Sequence, residues 1–292
     1  MVGWDFSVLW AAGNAILEGH SPYGVANFFY PLPFAYFLAI FALLPQKVSL
    51  ILWLALNVGL LILAFRRAFW KWLPYAPFMH LLSSGQMGFL FWSLERGIGP
   101  HYWRTPIMAA LITLKPQVAL ILLPWHILGW LRHDRKTALR FLLATGLIWG
   151  LPLIWSPRWP IEWWNSLPSN FVLSAANTPG VFSLTKLFPA LFPVALVVAV
   201  LVFVWGQFQS KEIGRAAALL ASPFGLFYST IALIGCAPAR LMTPASLIVV
   251  VLSIITESFI PFIALPLIVI GYGLNIHSQS IVRRLIPARR GS

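Results

Sequence analysis

Acidic residues are nearly missing from this chain. Its 292 residues hold seven Asp and Glu against 20 Lys and Arg. Charged residues of both signs reach 9%, where a soluble domain carries about 25%, so a water-facing surface is excluded for most of the molecule. There is one cysteine, Cys236, which rules out an internal disulfide and leaves the redox compartment unreadable from cysteine pairing. No P-loop, Gly-rich dinucleotide fingerprint or G-x-S-x-G elbow occurs. The six histidines show no H-x-x-x-H spacing, and no carboxylate–histidine cluster is expected, so no metal site is expected either. The N-terminus has no basic stretch followed by an apolar core, so no secretory signal peptide is expected. Internal repeats are also missing, which argues against a transporter.

What is present is hydrocarbon. Hydrophobic residues make up 60% of the chain and the mean hydropathy is +0.83. The apolar runs are continuous rather than alternating, which selects helices over a barrel. The expected fold class is all-α, a polytopic transmembrane helical bundle forming one integral membrane domain. Residues 1–47 are expected as extracytoplasmic amphipathic helices, 48–275 as the bundle and 276–292 as a basic tail. The candidate spans are Val48–Phe65, Leu73–Ser84, Met87–Arg96, Arg104–Leu114, Pro116–Leu131, Thr137–Trp155, Ser183–Trp205, Ala216–Gly235, Leu241–Thr256 and Phe259–Leu274. Several fall short of the roughly 20 residues that a full crossing needs, and such short helices line cavities or rest on neighbours.

The net charge of +13 would suggest a nucleic-acid partner in a soluble protein. Here the cations cluster between apolar spans: Arg66, Arg67 and Lys71; Arg132, Arg135, Lys136 and Arg140; Lys211 and Arg215. That pattern is the positive-inside rule, with these residues as anchors beside anionic lipid. It predicts no nucleic-acid partner and a multi-pass cell-membrane protein. With Arg66–Lys71 inside, residues 1–47 lie outside. So do the junctions "SSGQM" and "LKPQ" and the loop that follows Trp155. Three spans after Arg215 would put the basic tail outside, against its charge, so charge alone leaves the side of the tail open.

Residues 6–18 differ from the spans. Phe6, Leu9, Trp10, Gly13, Ile16 and Leu17 share one helical face, and Ser7, Ala11, Asn14 and Glu18 the other. That spacing predicts an amphipathic helix lying in the membrane interface. Asp5 stands at its start, either as an N-cap or as a general base. "HSPYG" is a turn, and "YPLPFAYFLAIFALLPQ" is a second short helix opened by Pro33 and closed by Pro45.

The outer face then collects Asp5, Glu18, His20, Tyr23, Tyr30, Gln86, Lys115, Gln117, Arg158, Glu162, Asn165, Asn177, Lys186 and Arg240. Lys115 is the most informative. An ammonium between apolar runs is normally paired or faces a wet cavity, which makes it either a phosphate or carboxylate ligand or a snorkelling side chain. Gln86 and Gln117, also at helix junctions, favour the cavity. The Trp-rich "WSPRWPIEWW" is an aromatic belt rather than a sugar platform.

The order of "DFSVLWAAGNAILEGHSPY", "FFYPLPFAYFLAIFALLP", "GQMGFL", "LKPQVALILLP" and "LLASPFGLFY" resembles the polyprenyl-phosphate-sugar-dependent transferases of glycosyltransferase family 87. More distantly, it resembles other GT-C mannosyl- and glucosyltransferases. The resemblance implies a GT-C-type bundle of about ten membrane helices with juxtamembrane helices outside. It also implies a hexosyltransferase whose donor is a sugar on a polyprenyl phosphate, with mannose the first candidate and a glycan or glycolipid as acceptor. Asp5 would take the proton of the acceptor hydroxyl, and the anomeric carbon would invert. Lys115 and Arg240 would face the leaving phosphate. Gln86, Gln117, Tyr23, Tyr30 and His20 complete the substrate-binding candidates. No cofactor is implied beyond the lipid-phosphate sugar, a co-substrate. Members of the family carry a membrane helix ahead of the acidic motif, and the expectation is a member without that helix in this chain. The alternative is a non-catalytic GT-C-like scaffold or lipid-binding subunit of a membrane complex.

Overall fold

The computed structural model describes residues 3–99, 103–167, 178–223 and 227–285, and it is helical throughout with no strand among them. The chain opens with α1 (Trp4–Leu17), a 3-10 turn at Pro22–Gly24 and α2 (Leu32–Ala42). A long α3 (Gln46–Phe65) continues as 3-10 helix to Lys71. Five short helices follow: α4 (Ala76–Ser84), α5 (Gly88–Arg96), α6 (Arg104–Ile112), α7 (Pro116–Leu122) and α8 (Pro124–His133). Then come α9 (Arg135–Gly150), α10 (Trp159–Ser166), α11 (Phe192–Gln207), α12 (Lys211–Ala221), a 3-10 segment Phe227–Leu233, α13 (Ala239–Ile255) and α14 (Ala264–Leu285).

Proline sets most of these starts. It stands in the first two positions of α2, α4, α7, α8, α10 and α11, where its missing N–H costs nothing and its fixed φ suits the helix. The same residues stop the preceding helix. Pro124 therefore splits the expected span Pro116–Leu131 into α7 and α8. Pro189 and Pro193 delay the helix expected from Ser183 until Phe192. Likewise the expected span Ala216–Gly235 breaks after Ala221.

Four stretches among the described residues are long and apolar enough to cross a membrane: Gln46–Lys71, Arg135–Ile154, Pro189–Gln207 and Ile260–Ser278. Leu32–Ala42 and Ala239–Ile255 are shorter apolar helices. The protein is thus an all-helical membrane protein with four candidate spans, where the sequence suggested about ten. The other expected spans hold α4 to α8 and α12, helices of seven to eleven residues, or about 10–17 Å at 1.5 Å per residue. That is too short for a 30 Å hydrocarbon layer.

On α3 one stripe is buried, Ser49, Trp53, Asn57 and Leu61, spaced by four residues. The rest of that helix offers Ile51 and Leu63, 66% and 76% exposed, a surface that only lipid would cover without penalty. Asn57 donates from Nδ2 to the Trp53 carbonyl at 2.9 Å, while its Oδ1 is buried without a hydrogen-bond partner. Within the bundle, α1 lies directly on α2. A Cβ on Gly13 would come within 2.6 Å of the Leu38 carbonyl, so glycine is what permits that approach. Against α2, α1 buries Phe6, Leu9, Ala12 and Gly13. Leu17, expected on the apolar face, is instead exposed.

Candidate functional site

The first turn of α1 is fixed by glycine, not by Asp5. Gly3 caps the helix in the left-handed region with no side-chain cap bond. Its N–H donates to the Ser83 carbonyl at 2.7 Å, tying α1 to the end of α4. The expected N-cap role for Asp5 is therefore corrected: Asp5 sits inside the first turn and its carboxylate turns toward the next segment.

That segment is shaped by a second glycine. Gly85 ends α4 at φ 74°, a conformation that residues with a Cβ rarely adopt. It also lies against Phe6, whose Cβ would be 2.6 Å from an added Cβ at this position. The turn brings Gln86, 5% exposed, back over α1. Gln86 Nε2 donates to Asp5 Oδ2 at 2.7 Å.

The third member arrives from a proline junction. Lys115 precedes Pro116 and has φ −119° and ψ 83°, because a residue before proline is pushed out of the helical region. The chain breaks between α6 and α7 there. The Lys115 side chain is fully buried, and its Nζ donates to Gln86 Oε1 at 3.0 Å. It also stands 5.5 Å from the centre of the Tyr30 ring, a cation–π distance. Tyr30 in turn packs on Phe34 and Phe28 at 5.2 and 5.6 Å.

One carboxamide thus separates a carboxylate from an ammonium. With Gln86 between them, its N–H side faces the carboxylate and its carbonyl side the ammonium, so the two groups are linked without touching. A cavity of about 10 Å³ touches Lys115, Gly88, Trp92 and Ser229. It has room for roughly one water and none for a sugar phosphate, so this is a closed arrangement.

The other sequence candidates lie apart from this chain of hydrogen bonds. Gln117 is half-buried on α7 and Arg240 is exposed at the start of α13. His20 is exposed beside Glu18, 3.6 Å between Nδ1 and Oε2. Glu18 also accepts from Asn14 at 2.7 Å. Tyr23 is half-buried in its turn, and burial followed by the nearby Glu162 charge pushes its phenol above the ordinary range. Glu162 accepts from Ser21 Oγ at 2.8 Å, docking α10 on the first turn region. Arg158 and Asn165 are exposed. Lys186 donates to the Glu257 carbonyl at 2.8 Å. Asn177 lies outside the described residues.

A second charged cluster has no counterpart among the sequence candidates. Glu95, at the last turn of α5, is fully buried. Arg215 donates to its Oε2 at 2.7 Å. Lys211 stands 2.6 Å and His126 2.7 Å from its Oε1. Arg215 also donates to the Ala232 carbonyl at 3.1 Å. Lys211 and Arg215 were expected to anchor on lipid heads; instead they turn toward Glu95, because α12 is buried in the bundle from Ile213 to Ala221. Nor was a carboxylate–histidine contact expected, since His126 and Glu95 lie 31 residues apart. Among the described residues no group of three His, Cys, Asp or Glu could hold a metal.

The chain matches no protein-family model, no curated protein and no solved structure.

Proposed function

We propose that this protein is a membrane glycosyltransferase of GT-C type, built as a multi-pass bundle in the cell membrane. It would move a sugar, mannose being the first candidate, from a polyprenyl phosphate to an acceptor hydroxyl on the extracytoplasmic side. The observation that carries this reading is the Asp5–Gln86–Lys115 hydrogen-bonded chain, assembled from three separate helix junctions. Motif order along the sequence supports it.

Asp5 supplies the base. As the acceptor oxygen attacks the anomeric carbon, its proton passes to the Asp5 carboxylate. The bond from that carbon to the phosphate oxygen breaks, the electron pair stays on the phosphate, and the carbon inverts. Lys115 offsets the negative charge that grows on the phosphate, the usual service of a fixed cation in a water-poor site. Gln86 holds base and cation apart before substrate arrives, and its two hydrogen bonds are the ones that substrate entry would exchange. An apolar groove of about 210 Å³ between Leu120, Phe182 and α11 suits an isoprenoid chain.

The test is sugar transfer by membranes containing the full chain, supplied with radiolabelled polyprenyl-phosphate mannose or glucose. Asp5→Asn is expected to lower transfer by about 10²–10⁴-fold and Lys115→Met by about 10²–10³-fold, with normal amounts of protein. Full transfer by Asp5→Asn would overturn the assignment of the base. If the wild-type chain binds undecaprenyl phosphate and transfers nothing, the scaffold alternative takes its place.

A further inference from the structure

The two charged clusters sit at opposite ends of the same pair of helices. Gln86 stands two residues before α5, and Glu95 lies in its last turn. Lys115 precedes α7, and His126 lies in the first turn of α8, with Leu123 alone between those two helices. Leu123 keeps helical angles, φ −93° and ψ −28°, and its N–H donates to the Ala119 carbonyl at 2.9 Å, so α8 carries on from α7. α5 packs on α7. One rung joins the two rods at their start, Lys115 Nζ to Gln86 Oε1 at 3.0 Å. Another joins them at their end, His126 Nε2 to Glu95 Oε1 at 2.7 Å. The rungs are nine residues apart along α5 and eleven along α7–α8, about 13 and 16 Å at 1.5 Å per residue. Between them the small cavity is walled by Trp92, Val118, Ile121, Leu122 and Ile231. Apolar contact of this kind is non-directional, so the register of one rod on the other falls to the rungs.

The Glu95 rung is also anchored to a third helix. α12 packs on both α7 and α8. Its Arg215 donates to Glu95 Oε2 at 2.7 Å, and its Lys211 stands 2.6 Å from Oε1. The same guanidinium donates to the Ala232 carbonyl at 3.1 Å, in the 3-10 segment Phe227–Leu233. Ile231 of that segment lies against Gly88 in the first turn of α5, where an added Cβ would be 3.1 Å from its Cγ2. Arg215 thus holds α5 directly at its far end and through Ile231 at its near end. Sliding α5 by one residue, about 1.5 Å, would draw Glu95 off a buried guanidinium and leave charge unpaired in a dry interior. The same slide would take Gln86 out of hydrogen-bond reach of Lys115.

We propose that Glu95 is a positioning residue for the Asp5–Gln86–Lys115 chain. Held by Arg215, Lys211 and His126, it sets the register of α5 on α7–α8 and so keeps Gln86 against Lys115. Its effect on transfer rests on the reading of that chain as the glycosyl-transfer site; its effect on the register does not.

Two measurements separate these claims. The first is hydrogen–deuterium exchange of the full chain in detergent, read by mass spectrometry. Replacing both Glu95 and Arg215 by leucine removes the anchor without stranding either charge. His126→Leu removes the rung to α8 while Glu95 keeps Arg215. In both, amides at 84–88 and 115–119, the far ends of the two rods, are expected to exchange about tenfold faster, with an unfolding midpoint close to that of the wild type. His126→Gln, which can still donate to Glu95, is expected to exchange like the wild type. Faster exchange confined to the surroundings of Glu95, His126 and Arg215 overturns the proposal, whether or not any sugar is transferred. Should the double variant fail to fold, the two His126 variants decide alone. The second measurement is transfer. His126→Leu is expected to lower kcat by about 10²-fold at unchanged KM, as a small misplacement far from the chemistry does, and His126→Gln to restore it. Wild-type kcat in His126→Leu despite faster exchange overturns the positioning role. Absence of transfer in the wild-type chain overturns the glycosyltransferase reading and leaves the exchange result on the register standing.

Discussion

At the scale of single residues, Glu95 is the most exposed to failure. Its carboxylate is fully buried, and Arg215, 8% exposed, depends on it. Glu95→Gln would leave a guanidinium without its counter-charge in a dry interior, and breaking a buried pair from one side costs roughly 3–5 kcal/mol. That loss is expected in unfolding titrations in detergent. Replacing both Glu95 and Arg215 by leucine is expected to recover most of it, because no uncompensated charge remains; Lys211, 31% exposed, can turn to water. Equal losses in the single and double variants would contradict this account. Why Glu95 was invisible in the sequence while Asp5, Gln86 and Lys115 were not follows from spacing. Each of the latter is a polar residue at a helix junction, flagged by its own apolar flanks. The partners of Glu95 are side chains as far as 120 residues away, and a cation at a helix end has the same local signature whether it meets lipid or turns inward.

At the scale of elements, glycines decide which helices can touch. Gly85→Ala would put a Cβ 2.6 Å from that of Phe6 on a left-handed backbone that costs about 1–2 kcal/mol for any residue with a side chain. Loss of stability is expected together with loss of transfer, since the turn that aims Gln86 is the part displaced. Gly59 in α3 and Gly146 in α9 make the contrast, because nothing lies within 4 Å of a Cβ at either position. Alanine there is expected to stabilise by up to about 1 kcal/mol through helix propensity, with transfer unchanged. A thermal unfolding series on the three variants checks the order. The starts of α2 and α7 were legible from proline, and α3 from its unbroken apolar run; α4 begins at Ala76 rather than Leu73, and α10 falls where a loop was expected. The merging of α7 with α8 and the over-long helix after Ala216 were not. Hydropathy sums over a window and does not register that a single proline, or a short irregular stretch, ends the hydrogen-bond ladder.

At the scale of the whole molecule, the broken helix after Ala221 removes a difficulty with topology. Counting Ala216–Gly235 as a span forced the basic tail outside. Without it, the candidate span α14 and the shorter apolar helix α13 remain after Arg215, and two crossings are expected there. α13 covers 17 residues, about 25 Å at 1.5 Å per residue, enough for a slightly thinned bilayer. The bond from Lys186 to the Glu257 carbonyl puts the α13–α14 connection beside the loop before α11, which the charge pattern assigns to the outer side. α14 is then expected to run inward, toward the cytoplasmic side that the positive-inside rule assigns to a basic tail. In a Cys236→Ala background, single cysteines at Lys47, Ser21 and Thr256 are expected to react with a membrane-impermeant maleimide on intact cells. Cysteines at Arg67, Arg132, Ser210 and Ser278 are expected to react only after permeabilisation. Lys47 and Arg67 are the sharpest pair, since α3 separates them by about 30 Å, one hydrocarbon thickness. Labelling of both in intact cells would mean that α3 does not cross. Labelling of Ser278→Cys in intact cells, with Thr256→Cys protected, would mean that α13 returns without crossing and that the tail lies outside against its charge.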